Sequence, residues 1–433
     1  MRVDSGSANT VVALCPPFTL LSLSSFPILA WTGRLAIVVA AIAALASLLF
    51  SGNRPSTYTV LIGATIGCLI VVGWAGHGLA SAQAYVQVGQ FLIVGIIISD
   101  YRKAVGGLNF QVILLVLVGL MIVILTWQAG TESAEHNSAF APFVVFANAN
   151  VFSYCCAVLT IFGFLLSKVS PAGGVRLIAY LLCAILVFLT ALSGSRGAML
   201  TLIVFFSVYT FGMRFNGNKT LLAASAVLTL VMVPVFTIGY LKAVGAQLNF
   251  FPLPTSQDLS PRILSVPACV PSSFETCPGE SISEAPTGWG GGLLGLQKSI
   301  RSGRHNIWPA VIEMAGASPI WGHGLGTLPA RYLAPPYTGR SAHSGFLQIY
   351  YQLGLVGVAL YTWLWCLLFV RAIGVPNIRA RSDAVAVLCA ACALETFEVV
   401  FVQNLLGIGI ALGIMATTRL VSETNAGAMP ELA

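Results

Sequence analysis

Residues 176–213 read RLIAYLLCAILVFLTALSGSRGAMLTLIVFFSVYTFGM. Two apolar runs, 176–192 and 197–213, flank the short polar segment Ser193-Gly194-Ser195-Arg196. Each run is close to the length an α-helix needs to cross about 30 Å of hydrocarbon. After Arg176, Arg196 is the only charge in the stretch. An arginine at a membrane helix junction is costly unless it meets an anion, faces a polar cavity or snorkels to the headgroups. The stretch therefore reads as two membrane helices joined by a tight turn that carries a cation.

Composition extends this reading to the whole chain. Of 433 residues, 57% are hydrophobic and 8% charged, and the mean hydropathy is +0.89. Soluble domains carry about 25% charged residues, so most of this surface faces lipid. Apolar runs recur at 10–31, 35–50, 59–76, 84–99, 108–127, 143–166, 176–192, 197–213, 220–240, 345–370, 384–402 and 404–419. They predict an all-α polytopic membrane protein of about 12 transmembrane helices, with a large loop between the ninth and tenth. The expected organisation is 1–240 for spans one to nine, 241–344 for the loop domain, and 345–433 for spans ten to twelve with a cytoplasmic tail. Pro16, Pro17 and Pro27 interrupt the first run, which reads as an irregular retained span rather than a cleaved signal. No repeating unit is visible, which excludes a solenoid.

Basic residues predict the sidedness. With the N-terminus in the cytoplasm, the cytoplasmic segments hold twelve of them: Arg2, Arg54, Arg102, Lys103, Lys168, Arg176, Arg214, Lys219, Arg371, Arg379, Arg381 and Arg419. The short outer loops hold two, Arg34 and Arg196. This is the positive-inside pattern, and it puts both termini in the cytoplasm. It also accounts for the net charge of +7 without a nucleic-acid partner. Cys15, Cys68, Cys155, Cys156, Cys183, Cys366, Cys389 and Cys392 lie in apolar runs and act as small hydrophobes. Cys269 and Cys277 fall in the outer loop, where a disulfide is compatible with a periplasmic setting.

The outer segment begins as a Pro-, Ser- and Gly-rich stretch from Phe251 to Gly295 and ends in a helix-like stretch, Asn306 to Ala317. Ser302-Gly303-Arg304-His305-Asn306-Ile307-Trp308 opens that helix. A helix N-terminus favours anions, and Arg304, with Arg301 as neighbour, would add a phosphate fork. His343 stands where the loop re-enters the membrane, in Ala342-His343-Ser344-Gly345, and histidine is the usual general base near neutral pH. Each has a structural alternative: a snorkelling arginine, a solvated basic loop, a packing histidine. Gly290-Gly291-Gly292 with Lys298-Ser299 lacks phosphate-loop spacing. His305, His323 and His343 have no metal-ligand spacing, and there is no Gly-x-Ser-x-Gly nucleophile elbow.

With these residues in view, the chain resembles the O-antigen ligase and polymerase family of bacterial membrane glycosyltransferases. The resemblance rests on Phe146-Ala147-Asn148-Ala149-Asn150-Val151-Phe152, on Ser193 to Ala198, and on Ser302-Gly303-Arg304 with Trp308. Gly322-His323-Gly324-Leu325-Gly326, followed by His343 and Gly354-Leu355-Val356-Gly357, completes it. Relatives often have Asn-Pro-Asn where this chain has Asn148-Ala149-Asn150, a departure that bears on the helix break expected there.

The resemblance implies an inner-membrane enzyme that moves a glycan from a polyprenyl-diphosphate lipid to a sugar hydroxyl at the periplasmic face. No metal or cofactor is implied. Arg196 and Arg304 would hold the diphosphate, with Arg301, Asn148, Asn150 and Trp308 as further substrate-binding residues. His343 would assist the acceptor hydroxyl, which makes His343, Arg196 and Arg304 the catalytic candidates. The implied partners are the lipid-linked oligosaccharide, an acceptor saccharide, membrane lipid, a flippase and a chain-length regulator. A polymerase of a surface or secreted polysaccharide is favoured, and a ligase acting on lipid A core is the alternative. A small-anion or solute transporter is the reading from another class, but transporters usually place polar residues at the midplane between internal repeats.

Overall fold

A computed structural model describes residues 57–77, 149–169, 173–192, 195–215, 218–229, 304–325, 342–375 and 377–399, with 31, 32, 34, 35, 38 and 119 besides. All regular structure among these residues is helical: α1 (Thr57–His77), α2 (Ala149–Val169), α3 (Gly173–Leu192), α4 (Arg196–Arg214), α5 (Lys219–Thr229), α6 (Arg304–Ala315), α7 (Gly345–Ile373) and α8 (Ile378–Phe397). α4 from Gly197 to Arg214, and α7, are long and apolar enough to cross a membrane, while α1, α2, α3 and α5 hold shorter apolar stretches. The spans expected at 10–31, 35–50, 84–99, 108–127 and 404–419 lie largely or wholly outside the described residues.

The helix starts follow from capping residues. Asn218 Oδ1 accepts from Thr220 N at 2.9 Å and Leu221 N at 3.3 Å. Asn377 Oδ1 accepts from Arg379 N at 2.8 Å and Ala380 N at 3.2 Å. Each satisfies donors that a helix start leaves open.

α2 and α8 form the centre. α2 is buried around its whole girth from Phe152 to Leu165, with Phe164 half-buried, and α8 is buried from Ala380 to Thr396. α3 packs along α2, α4 against α8 and α2, and α1 and α8 against α7. On the outside the pattern inverts. Leu177, Leu181 and Phe188 of α3 are each more than half exposed, as are Val71 and Trp74 of α1. A ring of exposed leucine, isoleucine and aromatic side chains around a buried core suits hydrocarbon, not water.

α7 is not one straight rod. Gly354 has φ 64° and ψ −162°, which breaks it into α7a (345–353) and α7b (355–373). Phe346 and Tyr361 lie ring to ring, with centroids 5.4 Å apart. Fifteen residues of straight helix would separate them by about 22 Å. α7a is therefore folded back over the start of α7b, and the single span expected at 345–370 is two half-helices.

The break leaves backbone groups that the segment after α6 satisfies. His323 N donates to Tyr351 O at 3.0 Å and Gly324 N to Gln352 O at 2.8 Å. In the other direction, Leu355 N donates to Pro319 O at 2.8 Å and Val356 N to Ile320 O at 3.2 Å. Buried backbone groups need such partners, above all in lipid. The interlock needs glycine on both sides. A Cβ on Gly322 would strike the Gln352 carbonyl, and one on Gly354 would strike the Ile320 carbonyl.

The helices alternate in direction, so like ends gather. At one end stand Lys168, Arg176, Arg214, Lys219, Arg371, Arg379 and Arg381, where α2, α4 and α7 finish and α3, α5 and α8 begin. Lys168 Nζ lies 2.9 Å from Asp383 Oδ1 and 3.9 Å from the centre of the Tyr209 ring, and Arg381 Nε donates to Val375 O at 2.8 Å. At the opposite end lie the starts of α4 and α7, the end of α8, and the contact of α6 with α7. Every described residue singled out as a site candidate falls at this second end.

Candidate active site

His343 occupies a left-handed backbone conformation, φ 49°, the one non-glycine residue among those described to do so. Such a conformation persists only where its surroundings hold it. Here both neighbours are pinned. Trp308 Nε1 donates to Ala342 O at 2.9 Å, and Ala342 N donates to Gln348 Oε1 at 3.0 Å. Ser344 caps α7a, its hydroxyl accepting from Leu347 N at 3.5 Å and its carbonyl from Gln348 N at 2.9 Å.

The imidazole meets the last turn of α8. His343 Nδ1 is 3.0 Å from Glu398 Oε1 and 3.2 Å from Oε2. The histidine side chain is 35% exposed and that of Glu398 only 9%, so solvent or substrate has access to the ring but hardly to the carboxylate. An ionised carboxylate can only accept. With Glu398 ionised and His343 neutral, this contact places the proton on Nδ1 and the lone pair on Nε2. This base-and-orienter arrangement is one that proton-abstracting sites share. Glu398 is also the C-cap residue of α8, where the helix dipole disfavours a negative charge by about 0.3–1 kcal/mol. The contact with His343 offsets that cost.

Two further elements deliver arginines to this end. Arg196 is the first residue of α4, directly after the N-cap residue Ser195. The next residue, Gly197, is so closely packed that a Cβ there would lie 2.9 Å from Tyr154 Oη and 3.3 Å from Phe397 Cβ. The backbone of Arg196 thus stands beside the α8 terminus that carries Glu398. Arg304 is the first residue of α6, one turn (about 6 Å of rise) before Trp308, whose indole holds Ala342. The sequence candidates Arg196, Arg304 and His343, distant along the chain, are thus brought to one end of the bundle, both arginines at helix N-termini.

Other expectations fare differently. Trp308, expected to bind substrate, is 1% exposed and packs with Val311, Ala315, Ala342, Leu347 and Tyr351. Its indole N–H is used on Ala342, the neighbour of His343. His323 is structural as well: its ring stacks on Tyr351 at 4.6 Å, and Nε2 lies 2.9 Å from Met314 O. α2 begins at Ala149, inside the Asn148-Ala149-Asn150 motif. Asn148, Arg301, Cys269 and Cys277 lie outside the described residues.

Glu398 was not among the sequence candidates, nor was Glu395, which is fully buried and accepts from Tyr361 Oη at 2.8 Å. Both sit in or beside the apolar run 384–402, where averaged hydropathy conceals two acids. The available signal was their presence in a span at all, since carboxylates there are costly and usually functional.

Residues 181–362 match the family model described as O-Antigen ligase. That stretch is similar to the O-antigen ligase family, in line with the resemblance read from the sequence. Comparison with curated proteins yields no match. The matched stretch holds Arg196, Arg304, His343 and the α7 break, and it ends before α8.

Proposed function

With that similarity as the premise, we propose that the chain transfers a glycan from a polyprenyl-diphosphate lipid to a sugar hydroxyl at the periplasmic face, as a polymerase of a surface or secreted polysaccharide. The observation that carries this reading is the His343–Glu398 pair standing at the end of the bundle where α4 and α6 begin with arginines.

The acceptor hydroxyl gives its proton to His343 Nε2 as its oxygen bonds to the sugar anomeric carbon. The bond from that carbon to the diphosphate breaks, and its electron pair leaves with the lipid diphosphate. Glu398 stabilises the imidazolium that forms. Arg196 and Arg304, with the open N–H groups of their helix starts, take up the charge gathering on the leaving group. Arg301, Asn148 and Asn150 complete the substrate contacts. The base contributes about 10²–10⁴-fold, and alignment of the two substrates contributes up to roughly 7–11 kcal/mol.

A flippase supplying the donor and a chain-length regulator fit this role as partners. The ligase alternative uses the same chemistry with lipid A core as acceptor. The transport reading has no support from the family match.

The test is transfer by the full chain in native membrane vesicles, with lipid-diphosphate-linked glycan extracted from the host as donor and acceptor. Arg196→Ala, Arg304→Ala and His343→Ala should each abolish product while the protein still inserts. Wild-type product from Arg196→Ala would remove the diphosphate role. In the host, deletion should leave single lipid-linked repeats, whereas long chains left on the carrier would identify a ligase.

A further inference from the structure

Glu395 lies three residues before Glu398, at the end of α8, and the mechanism above does not use it. It is fully buried. Tyr361 Oη, from α7b, donates to its Oε1 at 2.8 Å. Its side chain also lies directly against the backbone of Gly345, the first residue of α7a: a Cβ on Gly345 would collide with Glu395 Oε1, Cδ and Cγ. A carboxylate inside a membrane helix is costly and is rarely kept for packing alone. Here it occupies a place that only a glycine leaves open, two residues from His343.

The two acids therefore grip the two sides of one short segment. Glu398 holds the imidazole of His343 through Nδ1. Glu395 abuts the backbone at Gly345 and, through Tyr361, ties α7a to α7b near the point where Phe346 and Tyr361 also meet. Because His343 has a left-handed backbone, small movements of its flanks would swing the ring away from Glu398. We propose that Glu395 is a positioning residue, whose buried carboxylate, seated on Gly345 and held by Tyr361, sets the orientation from which His343 approaches the acceptor hydroxyl. This rests on the transferase reading above.

The experiment measures kcat and KM of the full chain in membrane vesicles, with host lipid-diphosphate-linked glycan as substrate. Glu395→Ala should lower kcat about 10²-fold, the scale of a 1 Å misplacement, and leave the KM for donor within about twofold, because the arginines are untouched. Glu395→Gln keeps the shape and an acceptor for Tyr361, and should recover most of the loss. Tyr361→Phe, which removes one hydroxyl, should reproduce part of the kcat loss, and it carries the test if Glu395→Ala does not fold. Wild-type kcat in Glu395→Ala would overturn the proposal, and where that variant does not fold, wild-type kcat in Tyr361→Phe would. So would a loss that appears in KM instead of kcat. His343→Ala run alongside separates the two ideas. If it is inactive while the Glu395 variants are normal, only the positioning role fails; if it too transfers normally, the transferase mechanism fails first.

Discussion

At the scale of single residues, the site turns on how one imidazole is held. His343 stands in a left-handed conformation, and Glu398 reaches Nδ1 with both carboxylate oxygens within 3.2 Å. In an acid–base site a carboxylate in this place selects the tautomer, and its loss leaves a ring that can turn the wrong nitrogen to substrate. Glu398→Gln should therefore reduce the transfer rate by about 10²-fold, within the range ascribed to a general base. Membrane levels of the protein should be unchanged, because the glutamine fits the same volume. Rate measurement in vesicles checks this, and an unaltered rate would mean that His343 acts without an orienter. His343 and the two arginines were legible in the sequence because polar residues stand out at the edges of apolar runs. Glu395 and Glu398 were not, because hydropathy averages over a window and two acids scarcely lower the mean of 384–402. Their meaning depends on α7, far away in sequence, meeting the end of α8.

At the scale of elements, the broken α7 shows what the glycines of the family resemblance do. Gly322 and Gly354 both have positive φ and bring two backbones into contact, so that the turn after α6 supplies the hydrogen bonds that the break removes. Hydropathy could report that 345–370 was apolar but is blind to φ, so one span was expected where two half-helices stand. The length and start of α6 were nearly legible, Arg304–Ala315 against the expected 306–317, because apolar spacing marks a helix even inside a loop. Gly354→Ala should be strongly destabilising. Its backbone, φ 64° and ψ −162°, is one that essentially only glycine adopts, at a cost to an alanine of about 1–3 kcal/mol, and the collision with the Ile320 carbonyl adds to it. Gly322→Ala meets the Gln352 carbonyl and should behave alike. Thermal melting in detergent should show both variants well below wild type. Gly63→Ala, on α1 with open space around its Cβ, should melt at or slightly above wild type, since alanine is the better helix former.

At the scale of the molecule, the separation of charge from chemistry is the strongest argument for orientation. Lys168, Arg176, Arg214, Lys219, Arg371, Arg379 and Arg381 collect where α2, α4 and α7 finish and α3, α5 and α8 begin, while His343, Glu398 and the arginine-led helix starts collect at the opposite end. In the orientation we propose, which follows the positive-inside rule, the first end faces the cytoplasm and the second a compartment without nucleotide donors. In that orientation the proposed reaction needs a substrate that brings its own leaving group, as a lipid diphosphate does. A direct check introduces one cysteine at a time at two exposed positions, Ala317→Cys after α6 and Arg379→Cys at the start of α8, in a chain whose ten native cysteines are replaced by serine or alanine. A maleimide that passes a permeabilised outer membrane but not the inner one should label Ala317→Cys in whole cells, and should label Arg379→Cys only after lysis. The reverse pattern would put His343 in the cytoplasm. In that case a nucleotide-linked donor would be available, and the argument for a lipid diphosphate from compartment alone would fail.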